Sequence, residues 1–145
     1  MPSVEKMLDM SQEELDDLFR ASPAGDIPAG EGRGTVIVAP GTEFAEIAAK
    51  VVHFIAWQGK IFDPASGTLL NEVSPLHLDR IRAKVYKDAS WLDKEECIVL
   101  DYSKTSMLAK HIRDEIRQVG PGIYLGVVYW DKKRTIHFAL QFPTS

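Results

Sequence analysis

Three side chains in the second half of the chain carry groups that could transfer a proton. Asp101 and Tyr102 stand together at the end of an apolar stretch, and a run of hydroxyl residues follows them. Burial shifts the pKa of a carboxyl or a phenol, which is how proteins prepare such groups for acid–base chemistry. The hydroxyls also suit a turn and a helix cap. His137 is the third candidate: it faces a bound molecule if its side of the strand lines a cavity, and is otherwise an exposed or hydrogen-bonded strand residue.

The densest polar cluster surrounds His111. If this stretch is helical, His111 shares a face with Asp114 and Glu115, a spacing that could hold a metal. If it is a strand, that geometry is lost. The interleaved Arg113 and Arg117 favour a charged face in contact with water. The sequence therefore predicts no metal site and no cofactor.

Aromatic residues are the candidates for lining an apolar cavity, although they are also ordinary core material. The predicted ligand-binding residues are Trp57, Tyr86, Tyr124, Trp130 and Gln141.

The C-terminal third must position most of these side chains, and its pattern predicts short strands joined by turns. Apolar and mixed residues alternate from Thr135 to Phe142, which is the period of a half-buried strand. Residues Ile123–Trp130 are apolar on both faces, so both must be covered. Residues Glu96–Tyr102 form another predicted strand. The stretch 105–119 is ambiguous, and we favour a helical turn to Ile112 followed by a strand to Val119.

The first half of the chain shows clearer boundaries. Ser11 and Glu14 form a capping box for a helix to about Arg20. The Gly- and Pro-rich stretch 22–34 predicts a connector, and its alternating glycines lack the context of a phosphate loop. The remaining predicted elements are a strand Thr35–Ala39, a helix Thr42–Ala56, a hairpin of Trp57–Asp63 with Thr68–Val73, a strand Arg80–Tyr86 and a loop Asp88–Lys94.

The bulk composition indicates one globular domain. The chain has 145 residues, 26% of them charged, and a net charge of -4, which leaves no electrostatic footprint for nucleic acid. A single cysteine, Cys97, suits a reducing compartment. There is no signal-like N-terminus and no apolar run long enough for a bilayer, so we expect a cytoplasmic protein without membrane insertion.

These elements predict an α+β, mainly β fold: a small antiparallel barrel, or a strongly curved sheet, with two or three helices. Residues 1–145 form a single predicted domain, in which 1–33 are an N-terminal helix and connector and 34–142 are the barrel-like core.

Several short motifs between Trp57 and Phe142 carry a family resemblance. They are Trp57-Gln58-Gly59-Lys60-Ile61-Phe62-Asp63, a later Asn71, Ala83-Lys84-Val85, and Val119-Gly120-Pro121-Gly122-Ile123-Tyr124-Leu125-Gly126. In this order they resemble the GXWXG-type lipocalin-like domains, with Ile55 at the position of the first Gly. The resemblance implies a calycin-like barrel in a small bacterial protein. It transfers no catalytic residue to this chain.

The sequence favours a binding function. A closed sheet of about eight strands leaves room for one small ligand, so we expect a small, largely apolar molecule of the acyl, isoprenoid or polyketide type. The alternative is an isomerase or cyclase in the same cavity, with Tyr102, Asp101 or His137 as its acid or base. A structural or interaction protein is the third possibility, and a homodimer is compatible with all three.

Overall fold

The N-terminal segment is helical and the rest of the described chain is antiparallel sheet. The computed structural model describes residues 3–37, 59–64, 66–72, 80–102 and 112–143. Within them, two helices precede eight strands: α1 (Val4–Leu8), α2 (Gln12–Ala21), β1 (Gly30–Ile37), β2 (Gly59–Asp63), β3 (Thr68–Glu72), β4 (Arg80–Ala89), β5 (Glu96–Asp101), β6 (Ile112–Gly120), β7 (Ile123–Trp130) and β8 (Lys133–Gln141). The predicted α+β, mainly β class is confirmed.

The strands close into a barrel. Each strand pairs with the next one along the chain, and β8 returns to pair with β1, all in antiparallel orientation. Sequential strands joined by short turns usually lie side by side, and the predicted neighbours β5 to β8 follow that rule. The predicted hairpin of β2 and β3 is confirmed as well.

Both faces of β5 to β8 are buried, which gives the molecule two apolar clusters. The inner cluster fills the barrel and consists of Phe62, Ala83, Val85, Ile98, Leu100, Tyr102, Ile112, Ile116, Tyr124, Val128, Ile136, Phe138, Leu140 and Phe142. The outer cluster joins the barrel wall to the helices and consists of Met7, Leu15, Phe19, Ile37, Cys97, Val99, Leu125, Val127, Tyr129 and Ala139. This second layer explains why β7 is apolar on both sides.

The two helices are the cover for the outer cluster. The Ser11 hydroxyl accepts from the Glu14 amide at 3.1 Å while the Glu14 carboxylate accepts from the Ser11 amide at 3.0 Å, so the predicted capping box starts α2. Met7, Leu15 and Phe19 are fully buried. Burial of each such side chain contributes about 1.5–3 kcal/mol, and this stabilises the packing of a short and acidic helical segment against the barrel.

Some predicted boundaries are wrong. The first strand begins at Gly30, not at Thr35, so Gly30–Gly34 is a strand and not a connector. The reason is packing: a Cβ atom on Gly32 would lie 2.5 Å from the Phe142 ring, so the aromatic cluster requires glycine there. Strand β4 continues to Ala89, into the predicted loop. Helix α1 was not predicted.

The structure describes the second half of the stretch 105–119, which the sequence left ambiguous between helix and strand. Its second half is strand β6, as favoured from the sequence. The predicted helix Thr42–Ala56 and the predicted helical turn before Ile112 lie outside the described residues.

The chain between α2 and β1 crosses one end of the barrel, which we call the connector end. The backbone N–H of Gln118 donates to the Pro23 carbonyl at 3.1 Å, and the Tyr124 hydroxyl donates to the Asp26 backbone carbonyl at 2.6 Å. Ile27 packs against the inner cluster. The opposite end is where β1, β3 and β5 end and β2, β4 and β6 begin, and we call it the long-connection end.

A buried arginine fastens the helices to the barrel. Arg117 projects from the outer face of β6 and is 1% exposed. Its five N–H groups donate to the Phe19, Glu95 and Glu96 carbonyls and to both carboxylate oxygens of Asp93, at 2.6–3.1 Å. The guanidinium also lies 4.4 Å above the Phe19 ring. Because every donor is used, this charge is compensated without water.

Replacing Arg117 with Met should lower the free energy of unfolding by about 3–5 kcal/mol, because the change leaves a carboxylate and three carbonyls without their donor. The measurement is urea unfolding followed by circular dichroism. Arg20→Met is the matched control, since Arg20 pairs with Asp17 on the helix surface and exposed pairs contribute about 0–1 kcal/mol. Equal effects of the two substitutions would contradict the assigned role.

Candidate functional site

Strand β6 sorts its polar residues onto two faces. Ile112, Asp114 and Ile116 face the barrel interior, whereas Glu115 and its alternate neighbours face outward. Adjacent residues of a strand face opposite sides, so Asp114 and Glu115 do not share a face as the helical metal geometry required; His111 lies outside the described residues. No group of three or more His, Cys, Asp or Glu among the described residues is placed to hold a metal ion.

Among the outward polar residues of β6, Glu115 and Arg117 are buried and Arg113 is partly buried, so the predicted water-exposed charged face is wrong. Glu115 is fully buried; it accepts from the Ser90 hydroxyl at 2.6 Å and from the Trp91 amide at 2.8 Å. Arg113 donates to the same carboxylate at 2.9 Å and lies 4.2 Å from the Trp91 ring centroid. These contacts fold the β4–β5 loop over the outer wall, which is a structural role.

Asp114 places a carboxylate on the inner wall of the barrel. It is 1% exposed, and its cross-strand partners are Leu100 and Val128, both of which are fully buried. Sequence reasoning did not choose Asp114 as a site residue. The alternation of Ile112, Asp114 and Ile116 was the signal, since it places the carboxylate among apolar neighbours once the stretch is a strand.

Two of the predicted site residues share this wall. Tyr102 follows β5 in the inner cluster, one step diagonally from Asp114, a relation that separates residues by about 7–8 Å. Trp130 is the cross-strand partner of Ile112 and packs against the same cluster. We call Leu100, Tyr102, Ile112, Asp114, Val128 and Trp130 the inner patch; it lies toward the long-connection end.

Tyr124 lies at the other end of the interior, among aromatic rings. Its ring centroid is 5.6 Å from that of Phe142, which in turn is 5.6 Å from that of Phe62, both in edge-to-face contact. Burial and the nearby Asp26 charge raise the pKa of Tyr124. This predicted ligand residue therefore belongs to the closed, ring-filled end of the barrel.

Three other predicted site residues face outward: Tyr86, Asp101 and Gln141. The Tyr86 hydroxyl donates to Asp101 at 2.8 Å, and burial together with this bond raises the pKa of Tyr86 to about 12. Gln141 is exposed beside its strand partner Arg33, at an open surface depression of about 530 Å³. None of these side chains shares the inner wall with Tyr102.

His137 also faces outward, and a β-bulge in β8 places Arg134 on the same face. Val127 pairs with His137 and Tyr129 pairs with Arg134, so two residues of β8 oppose one of β7. The bulge brings Arg134 and His137, three positions apart, to the same face. There both bind Asp16 of α2: His137 Nε2 lies 2.8 Å from Asp16 Oδ1, and Arg134 pairs with Oδ2.

The lumen-facing alternative for His137 is therefore wrong, and the favoured interpretation of a hydrogen-bonded strand residue is confirmed. Thr135 was expected on a less buried face, but it is fully buried and donates to the Val128 carbonyl at 3.0 Å. Trp57 lies outside the described residues. Burial raises the pKa of Cys97 to about 12, which keeps it a thiol and unsuited to nucleophilic chemistry.

Comparison with known proteins supports the fold and goes no further. The chain is similar to the crystal structure of a protein from Thermomonospora curvata, with a TM-score of 0.61 and 16% sequence identity over 94% of this chain and 90% of that one. No protein-family model and no curated protein matches the chain. The barrel-like fold is confirmed, whereas the comparisons add no evidence for the GXWXG family. None of the described helices is long and apolar enough to cross a membrane.

The Asp16 contacts predict a specific acid sensitivity. Burial raises the pKa of Asp16, but the contacts with His137 and Arg134 outweigh it and lower the pKa below its ordinary value near 4. When the pKa of a carboxyl is lower in the folded protein than in the unfolded one, its charge stabilises the fold fully at pH values above the unfolded-state pKa. This stabilisation is lost as the pH falls through the folded-state pKa. We expect Asp16→Asn to cost about 1.5–3 kcal/mol at pH 7, and less as pH falls below about 4.

Unfolding free energies measured by urea titration from pH 7 to pH 2.5 provide the check. Asp17→Asn is the control, since it removes the same charge from an exposed position one residue away. A loss for Asp16→Asn that stays constant across the pH range, or that the control reproduces, would refute the interpretation.

Proposed function

We propose that this protein binds one small, largely apolar molecule inside the barrel, against the inner patch. The observation that carries the proposal is the carboxylate of Asp114, 1% exposed on a wall between Leu100 and Val128. Burying a carboxylate costs several kcal/mol that contacts must offset, and Asp114 bears this cost on the inner wall, where its strand neighbours are apolar. A charged group on an otherwise apolar inner wall is a position from which a protein can orient the polar group of a bound molecule.

The chemistry of the inner patch suggests what the ligand carries. A carboxylate accepts hydrogen bonds, and Tyr102 adds a hydroxyl to an otherwise apolar surface. We therefore expect an apolar body with one hydroxyl or amine group. The closed eight-stranded sheet is compatible with this proposal, because barrels of that size are either filled by side chains or enclose one small ligand. We also infer a relationship to the GXWXG-type lipocalin-like domains, on the sequence motifs and the barrel together.

An isomerase or cyclase is the second candidate, and one observation favours it. Tyr102 and Asp114 lie on adjacent strands of the same wall, so a substrate between them would meet a phenol and a carboxylate. In this version Asp114 replaces Asp101 and His137 as the base, because those two face outward. Such a pair could move a proton across an apolar substrate.

Removal of the Asp114 charge tests the proposal. Asp114→Asn should weaken the binding of 1-naphthalenemethanol by about 10- to 100-fold, the value of a hydrogen bond to a charged group. Binding of 1-methylnaphthalene, which lacks the hydroxyl, should change little. The readout is displacement of a neutral fluorescent dye from the folded protein. Absence of saturable binding to the natural protein, or equal effects on the two ligands, would overturn the proposal.

Tyr102→Phe separates the two candidate functions. It removes one hydroxyl and keeps the ring, so a binding protein should lose little affinity. An enzyme that uses this phenol should lose turnover by about two to four powers of ten while binding is retained. The measurement is ligand affinity beside product formation from any substrate found by co-purification.

A further inference from the structure

We propose that a depression on the outer surface of the barrel binds a free α-amino acid with an apolar side chain. The depression has a volume of about 530 Å³ and is lined by Glu31, Arg33, Gln141, Phe142 and Pro143; we call it the outer depression. It lies at the connector end, where β1 begins and β8 ends. Because it shares no residue with the inner patch, this proposal does not depend on a ligand inside the barrel.

Strand alternation places two opposite charges in the outer depression. Residues Gly30–Gly34 alternate glycine with a charged residue, and Gly32 faces inward, where its backbone lies against the Phe142 ring of the inner cluster. Glu31 and Arg33 therefore both face outward, two residues apart on β1. At about 3.3 Å per residue, their Cα atoms are about 6–7 Å apart.

Both charged groups are accessible to a ligand. Glu31 and Arg33 are exposed, and within the described part of the chain neither makes an ion pair or a side-chain hydrogen bond, either with the other or with a third residue. Further along β1, Ile37 is buried in the same outer cluster as Met7 of α1. The outward face of this strand is therefore covered at one end and open to solvent at the other.

The spacing of these two side chains suits the two charges of a free amino acid. A guanidinium binds a carboxylate through two parallel N–H bonds, and a carboxylate accepts from an ammonium group, at about 2.7–2.9 Å in each case. The ammonium and carboxylate of an α-amino acid are attached to the same carbon, so they must be held from two sides by neighbouring groups of opposite charge. Glu31 and Arg33 are such neighbours.

The rest of the lining supplies one more polar contact and an apolar surface. Gln141 is the cross-strand partner of Arg33, so their Cβ atoms are about 4.5–5.5 Å apart and the Gln141 amide can donate to the same ligand carboxylate. Phe142 and Pro143 provide the apolar part, and Phe142 is held in place by edge-to-face contacts with other rings. We therefore expect an apolar side chain on the ligand, as in leucine or phenylalanine.

Titration of the isotope-labelled protein with L-phenylalanine, followed by NMR, tests the proposal. Saturable shifts are expected at the backbone amides of Gly32–Gly34 and at the side-chain amide of Gln141. N-acetyl-L-phenylalanine lacks the ammonium group and L-phenylalaninamide lacks the carboxylate, so each should bind about fivefold more weakly, which is the upper value of an exposed ion pair. Absence of saturable shifts at these amides, or equal affinity for the three ligands, would overturn the proposal.

Two substitutions identify which charge of the ligand each side chain recognises. Glu31→Gln should weaken the binding of L-phenylalanine by about fivefold and leave that of N-acetyl-L-phenylalanine unchanged, since this ligand has no ammonium group. Arg33→Gln should weaken the binding of L-phenylalanine in the same way and leave that of L-phenylalaninamide unchanged. If either variant affects its two ligands equally, the assigned contacts are wrong and the proposal is overturned.

Glu96→Gln is the matched control. Glu96 is an exposed acid on β5, so the substitution removes the same charge from a strand that does not line the outer depression. The affinity for L-phenylalanine should stay as in the natural protein. A loss equal to that of Glu31→Gln would show that net charge alone is responsible, and would also overturn the proposal.

Discussion

The structure depends on one buried charge, the guanidinium of Arg117. A cation removed from water must find an acceptor for every N–H, and here the acceptors come from three separate segments: the end of α2, the β4–β5 loop and the start of β5. Each segment is thereby fixed against β6. The fork shape of arginine matters, because a lysine ammonium offers fewer donors and no planar face for Phe19.

The fastening of α2 explains how the barrel tolerates a carboxylate inside. The outer cluster gives β5 to β8 a second apolar layer, with Met7, Leu15 and Phe19 fully buried in it. Stability supplied on the outside reduces what the inner wall must contribute. A barrel that relied on its interior alone would gain more stability from an apolar side chain at the Asp114 position.

The sequence predicted the strands well and their orientation poorly. Alternation shows which residues share a face, as in β6 and β8, but not which face is inside. With helices covering the outside, both faces of β7 are apolar, so hydrophobicity could not decide the matter. The bulge at β8 then turned Arg134 to the same side as His137. The bulge depends on how β8 pairs with β7, and no local sequence pattern predicts it. Gly32 of β1 was misleading for a similar reason, because the ring of Phe142, distant in sequence, explains it.

Adjacent acidic residues on β6 show how strand alternation assigns different roles to similar side chains. Glu115 faces outward and accepts from Ser90, Trp91 and Arg113, so its charge is used up in holding a loop. Asp114 faces inward, toward a wall that is otherwise apolar apart from the Tyr102 hydroxyl. Glu115 and Arg117 each join parts of the chain that must stay together for folding. The inward carboxylate lies on the inner wall between Leu100 and Val128, and this position is why we propose that it contacts a ligand.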